Sequence, residues 1–268
     1  MTDLVERLVP DELWVLFRRV VPPMQVIRPQ GGGRRRAGDR ECLAAIIFVA
    51  TSGCTWRQLP PVFGPAWPTV YRRFAQWSRD RLWARLHRVL LDELGARGEL
   101  DWSRCAIDSV SIRAVKGATD RTESDRPRQA RIENPSAHGP ERTALSLGIS
   151  GANTHDSLGL EPLVLGIPPI RSRRGPRRRC PAKLHADKGY DYDHLRRWLR
   201  KRGIRHRIAR KGIESSNRLG RHRRVVERTV SWLAGCRRLH RRYERKAEHF
   251  LAFVGIAAAL ICHRRLAC

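Results

Sequence analysis

The chain has 268 residues, enough for one large domain or two small ones, and is 41% hydrophobic, so it can bury a sizeable core. With 54 Lys and Arg against 26 Asp and Glu, its net charge is +28, which repels itself in a compact fold unless a polyanion is bound; nucleic acid is the partner that fits. The seven scattered cysteines form neither a C-x-x-C pair nor a zinc-spaced Cys/His ladder, which argues against a zinc site and suits buried thiols in a reducing cytoplasm.

The N-terminus lacks the basic start and apolar run of a signal peptide. Residues 3–21 read as one helix, with Leu4, Leu8, Leu13, Leu16, Phe17 and Val20 at helical intervals, ended by Pro22 and Pro23. Residues 28–40 form a Gly/Arg loop, either an arm on DNA or a solvated linker. A second helix is expected from Asp39 to Ser52. A third opens at Pro68 or Thr69 and buries Val70, Phe74 and Trp77. Tyr71, Arg72, Arg73, Gln76 and Arg79 fall on its other faces, the pattern of a helix-turn-helix reader of DNA. Residues 82–94 continue as a helix with Leu82, Leu86, Leu90 and Leu94.

The period then changes. Arg104 to Ala114 alternates and is β-branched, a strand carrying Asp108. Leu145 to Gly151 is a second strand, and residues 157–166 a short helix. Residues 171–181 are a basic loop, solvated or lying on DNA. Lys183 to Asp187 is a strand ending on a carboxylate. Gly189 breaks it, and an amphipathic helix with Leu195, Trp198 and Leu199 follows. A short strand covers 204–209. A helix from about Arg224 to Arg245 is expected to bury Val225, Thr229, Trp232, Leu233, Cys236 and Leu239. From Lys201 to Lys246 there are 17 basic and 3 acidic residues, so Glu227 stands out; a surface ion pair with Arg223 or Arg228 is the plain explanation. Phe250 to Cys262 is apolar but too short to span a bilayer, and reads as a buried helix.

Asp108, Asp187 and Glu227 are thus three acids in basic surroundings. Mg²⁺ takes oxygen ligands and keeps several waters, so two or three carboxylates suffice to hold it at a phosphate. Spacing alone is a weak argument, since any chain of this length has three acids somewhere.

Several stretches carry a resemblance: WRQLPPVFGPAWPTVYRRFAQW, AIDSVSIRA, GANTHDS, LHADKGYDYDHLRRWLRKRGI and the block from Ala209 to Arg245 with VVERTVSWL at its centre. Together they resemble DDE-type bacterial insertion-sequence transposases of the insertion-sequence-five group, over nearly the whole chain. The resemblance implies an α/β protein with a helical N-terminal DNA-binding region, about 1–95, and a ribonuclease-H-like catalytic core, about 100–268. It puts Asp108, Asp187 and Glu227 at the three acidic positions that hold Mg²⁺ or Mn²⁺, and Arg228 on a DNA phosphate. The DNA-contact candidates are then Tyr71, Arg72, Arg73, Gln76, Arg79, Arg224 and Arg228. Double-stranded DNA (terminal repeats and target) is the implied partner and a homo-oligomer on DNA the implied assembly. No membrane is expected, and the location would be the bacterial cytoplasm, on the nucleoid when DNA-bound.

One stretch departs from the family. Where members carry a Gly/Pro turn and an apolar strand, residues 119–144 read TDRTESDRPRQARIENPSAHGPERTA. Read one frame over, with suitable codons, Arg131 to Pro135 spells Gly-Ser-Lys-Ile-His, and Arg121 to Asp125 spells Gly-Pro-Asn-Pro-Thr, as the family does. Two compensating frameshifts would explain both. Pro135 and Pro140 cannot donate ladder hydrogen bonds. A loop over 119–141 is therefore expected, with Leu145 to Ser150 pairing directly with the Asp108 strand and the core left with a defective second strand. Such a chain would be a weak transposase or an inactive DNA-binding relic; a Mg²⁺-dependent nuclease is a further alternative.

Overall fold

Pro10 divides the first helical stretch in two. The computed structural model describes residues 3–23, 36–111, 128–135, 142–151, 154–212 and 235–267. In it, α1 (Leu4–Leu8) and α2 (Asp11–Arg18) replace the single helix expected over 3–21. Proline lacks an N–H and pushes the residue before it out of the helical region, and Val9 accordingly sits at φ −131°, ψ 75°. Arg40 bridges the break by donating to the Val9 carbonyl at 2.8 Å and to Asp11 at 2.8 Å.

Helix α3 (Asp39–Ser52) has the expected bounds and ends on Gly53, whose φ of 74° is a conformation glycine adopts without steric cost. Residues 53–66 then contain two 3₁₀ turns before α4 (Trp67–Arg79). This connection is far longer than the 3–4-residue turn of a helix-turn-helix, which corrects that expectation. In α4, Val70, Phe74 and Trp77 are buried as the periodicity predicts, and Tyr71, Arg72 and Arg79 are exposed, with Gln76 half-buried. Arg73 is not on the outer face. It is 7% exposed, ion-paired with Asp39 and stacked over the Trp77 ring at 5.5 Å. The apolar stripe of α4 is wide enough to take in position 73, and Asp39 at the start of α3 supplies the countercharge. α5 (Leu82–Arg97) follows.

The sheet has five strands: β1 (Cys105–Ser111), β2 (Arg128–Pro135), β3 (Arg142–Ser150), β4 (Lys183–Ala186) and β5 (Arg205–Ile208), in the order β3-β2-β1-β4-β5. The first three form an antiparallel meander, and β4 and β5 add in parallel. The expected loop over 119–141 is therefore wrong for residues 128–135, and the sheet is not one strand short; residues 119–127 and 136–141 lie outside the description. Ladder bonds are made by backbone, so a strand poor in aliphatic residues can still be held from both sides. Pro135 is the last residue of β2, where a missing N–H costs least, and the ladder to β3 shifts register between Ile132 and Glu133.

Around the sheet lie α6 (Leu160–Leu165), α7 (Asp193–Lys201) and α8 (Ala247–Ala267). α8 is longer than the apolar run that predicted it, and by length and composition alone could cross a bilayer. Its apolar side chains are in the core: Phe250, Phe253, Ile256 and Cys262 are each at most 2% exposed. It packs against α5 and β3. Gly255 permits the approach, because a Cβ there would stand 3.2 Å from that of Trp83. Arg265 ties the end of α8 to Thr143 and, at 3.0 Å, to the Glu99 carbonyl. One apolar cluster runs from Val5 through α3–α5 to the sheet and α8. Cys42, Cys105, Cys236 and Cys262 are buried thiols, as expected, whereas Cys180 is exposed.

The helix expected to run through Arg245 does not reach it. Residues 213–234 lie outside the description, and Arg237–Leu239 is a single 3₁₀ turn followed by irregular chain to α8. The cause is a buried ion pair, Arg238 to Glu244 at 2.8 Å, six residues apart and so not helical neighbours. Arg238 also donates to the Cys54 carbonyl at 2.8 Å, pinning this segment to the end of α3. Cys236 and Leu239 are buried as predicted.

Two tests follow from this packing. His87 on α5 is buried against the Ala144 carbonyl, its Nε2 has no partner, and burial lowers its pKa to about 4. The unfolded chain then binds more protons than the folded one between pH 6.5 and 4, so stability falls as pH drops through that window. The loss approaches about 3 kcal/mol, and thermal melts of H87L should show a flatter pH profile. R73A should take the buried partner from Asp39, leaving it Arg36 at 3.1 Å, and cost about 1–3 kcal/mol in denaturant unfolding. R72A or R79A, at exposed positions, should leave stability within about 0.5 kcal/mol.

Candidate active site

Parallel pairing of β1 and β4 sets the site. Ala106 pairs with His185, and that register continued two residues further sets the backbone of Asp108 opposite that of Asp187; paired strands run about 4.8 Å apart. Asp108 lies within β1 and Asp187 immediately after β4. The register thus puts two of the three acids singled out in the sequence toward the same end of the sheet. The third, Glu227, lies outside the described residues, as do Arg224 and Arg228. Among the described residues, no three His, Cys, Asp or Glu side chains assemble into a metal-holding group.

Asp187 is oriented by its own turn. Its carboxylate accepts the Gly189 N–H at 3.0 Å, capping a 3₁₀ turn over Lys188–Tyr190. Gly189 has a steric reason, since a Cβ there would lie 3.1 Å from the Asp187 oxygen. The buried ring of Tyr190 and the buried Leu195 and Leu199 of α7 hold the turn against the sheet. Desolvation is the main cause that raises the Asp187 carboxyl above the ordinary range; Asp156 raises it further, while the Gly189 N–H and His155 pull it down.

Asp156 and His155 are therefore neighbours of Asp187, although neither was singled out as a site residue in the sequence. The GANTHDS stretch was the available signal. His155 Nδ1 stands 2.8 Å from the Ser157 hydroxyl, and its Nε2 is 3.4 Å from the Tyr192 hydroxyl. The two rings meet edge to face with centroids 5.6 Å apart, and the Lys211 ammonium lies 4.6 Å over the Tyr192 ring. These contacts fasten the segment after β3 to the turn after β4.

Asp191, the next acid along, has a structural role. It accepts the Lys211 N–H at 2.8 Å and the Arg196 guanidinium at 2.6 Å, and these donors hold its carboxyl below the ordinary range. Asp187 has the opposite character: it is exposed, its ionised form is disfavoured, and another carboxylate is near. Hard oxygen donors that repel one another are the donor set a divalent cation relieves.

Two family models match the chain. One, described as "Putative transposase of IS4/5 family", covers residues 9–87, and one described as "Transposase DDE domain" covers residues 103–262. The chain is 34% identical over 227 residues to a "Putative transposase for insertion sequence element IS402" of Burkholderia cepacia, spanning 85% of this chain and 95% of the relative. It is also 39% identical over 113 residues to an uncharacterized 16.2 kDa protein of the same element, spanning 42% of this chain and 77% of that protein. The DDE match begins just before β1 and ends within α8, so it contains both Asp108 and Asp187. The chain belongs to the DDE transposases of the IS4/5 family, enzymes that transpose DNA.

Proposed function

We propose that this transposase binds the terminal inverted repeats of its element, cuts a strand at each end, and joins the freed 3′-OH to target DNA. The observation that carries it is the parallel pairing of β1 with β4 at Ala106 and His185, two residues before Asp108 within β1 and before Asp187 just after β4. Glu227 completes the triad by family resemblance. The strand order β3-β2-β1-β4-β5, a meander followed by two parallel strands, supports a ribonuclease-H-like core.

Asp108, Asp187 and Glu227 would hold Mg²⁺ or Mn²⁺, which when bound activates the attacking oxygen and neutralises charge on the leaving one. The protein's own part is to aim and to screen. The Gly189 N–H fixes the Asp187 carboxylate. The exposed arginines of the chain neutralise DNA phosphates and bring the scissile bond to the acids. Exposed Tyr71, Arg72 and Arg79 of α4, with half-buried Gln76 beside them, are the N-terminal contacts. Arg224 and Arg228 add to them by resemblance. Two element ends must meet, so the working form is at least a dimer on DNA.

An inactive DNA-binding relic is the alternative, and would give a gel shift without cleavage; the absent second strand expected to favour it is present as β2. The chemistry is tested on a supercoiled plasmid carrying the element's ends. D108N, D187N and E227Q should each abolish Mg²⁺-dependent nicking at the ends while a gel shift persists. Nicking at random positions would instead identify a plain nuclease, and full-rate cleavage by E227Q would remove Glu227 from the triad. D187N has a second readout. Since the folded state disfavours ionised Asp187, metal-free D187N should melt above wild type at neutral pH, and the difference should vanish as the pH falls below the range in which Asp187 ionises.

A further inference from the structure

The basic loop ahead of β4 is a built structure. Its backbone closes on itself: Ile170 and Arg178 exchange two hydrogen bonds of 2.9 and 2.8 Å. The Ser172 hydroxyl lies 2.8 to 3.2 Å from the carbonyls of Arg174, Gly175 and Pro176 and staples the tip. Asp92 on α5 anchors the base. It accepts the Arg171 N–H at 2.8 Å and both its oxygens take the Arg177 guanidinium, at 2.8 and 2.9 Å. The loop also lies flush on α5 at Gly95, where a Cβ would stand 2.0 Å from the Arg171 carbonyl.

The consequence is a division of labour among six arginines. Arg177 is spent on Asp92, and Arg179 reaches back to the Ile167 carbonyl at 3.5 Å. All six are exposed, but for the side chains of Arg171, Arg173, Arg174 and Arg178 no carboxylate partner appears among the described residues. The sequence from Ile170 to Cys180 contains no acid at all. A flexible basic tail would lose conformational freedom on binding, whereas a fixed hairpin has already lost it on folding.

We infer that this hairpin is a second, preorganised docking surface for the phosphate backbone of duplex DNA, distinct from the face that carries the cutting acids. Its position sets it apart. It enters β4 at its beginning, where the Ala182 N–H bonds the Trp102 carbonyl at 2.8 Å, whereas Asp187 follows the strand's end. Five residues of extended chain separate the two by roughly 16 Å. DNA held by the hairpin is therefore a segment other than the one being cut, such as an inner part of the terminal repeat or the second duplex. Guanidinium groups without a base-reading element imply backbone contact, hence affinity without sequence preference. This inference rests on the chain being a DNA transposase.

The test uses the full-length protein and a fluorescent linear duplex of arbitrary sequence, titrated at several salt concentrations. The triple variant R173A/R174A/R178A should bind at least about tenfold more weakly, with a log–log salt slope shallower by about 2–3. R7A/R18A/R85A removes the same charge from exposed helical positions and should change the slope by less than about 1. Equal effects from the two variants would mean that only net charge matters and would overturn the hairpin site. A photo-crosslinker on the exposed thiol of Cys180 gives a readout that needs no arginine variant. It should yield a DNA adduct that is lost in C180S; no adduct at saturating DNA would overturn the site. If wild type bound no duplex, the transposase function would fall together with the hairpin, whereas end-specific cleavage by a triple variant with unaltered affinity would sink the hairpin alone.

Discussion

The parallel pairing of β1 with β4 is the constraint on which the site depends. β1 is already committed on its other side to an antiparallel partner, so β4 can join only at the remaining edge. Because the pairing is parallel, the two strands present the same level of the sheet at the same end. That geometry directs two acids separated by 79 positions in the chain toward the same end of the sheet. A slip of one residue would carry an acid to the opposite face and would also expose Cys105, Ile107 or Leu184, which are buried along this pairing.

Around that pairing, charge is handled in two ways. Where an acid has a structural task it is matched closely: Asp191 with Arg196 and Lys211, Asp92 with Arg177, Glu244 with Arg238. At Asp187 the balance is reversed, and the ionised carboxylate is raised in energy by its surroundings. A protein with more than twice as many basic as acidic residues has ample cations to neutralise every acid. Leaving Asp187 with a carboxylate neighbour marks it out within an otherwise over-compensated surface.

Much of the fold was legible in the sequence because its signals are local. α3, α4, α5 and β4 fall where periodicity and turn residues put them. Val70, Phe74 and Trp77 point inward, and Asp187 closes a strand. The misreadings share a cause, which is that distant partners decide. Arg73 looks like a surface residue until Asp39 is brought beside it. The irregular chain after Cys236 looks helical until Arg238 finds Glu244 and Cys54. β2 looks like a loop because its side chains advertise no strand, yet ladders on both sides hold its backbone. At Pro10 the sequence held the answer, and the helical spacing of leucines on either side masked it. His155 and Asp156 sat in a recognised motif, but only folding brings them next to Asp187.

The last helix carries a consequence for how the molecule is made. α8 supplies Phe250, Phe253 and Ile256 to the same cluster that α2, α3, α4 and α5 line. The first helices of the chain therefore cannot finish burying their apolar faces until its final 20 or so residues are available. Contacts this distant along the chain close late and slowly, and a chain halted before α8 would display Trp83, Leu86 and Leu90 to solvent. Assembly of the N-terminal region is in this way conditional on α8. Chains interrupted before α8 should aggregate or be degraded.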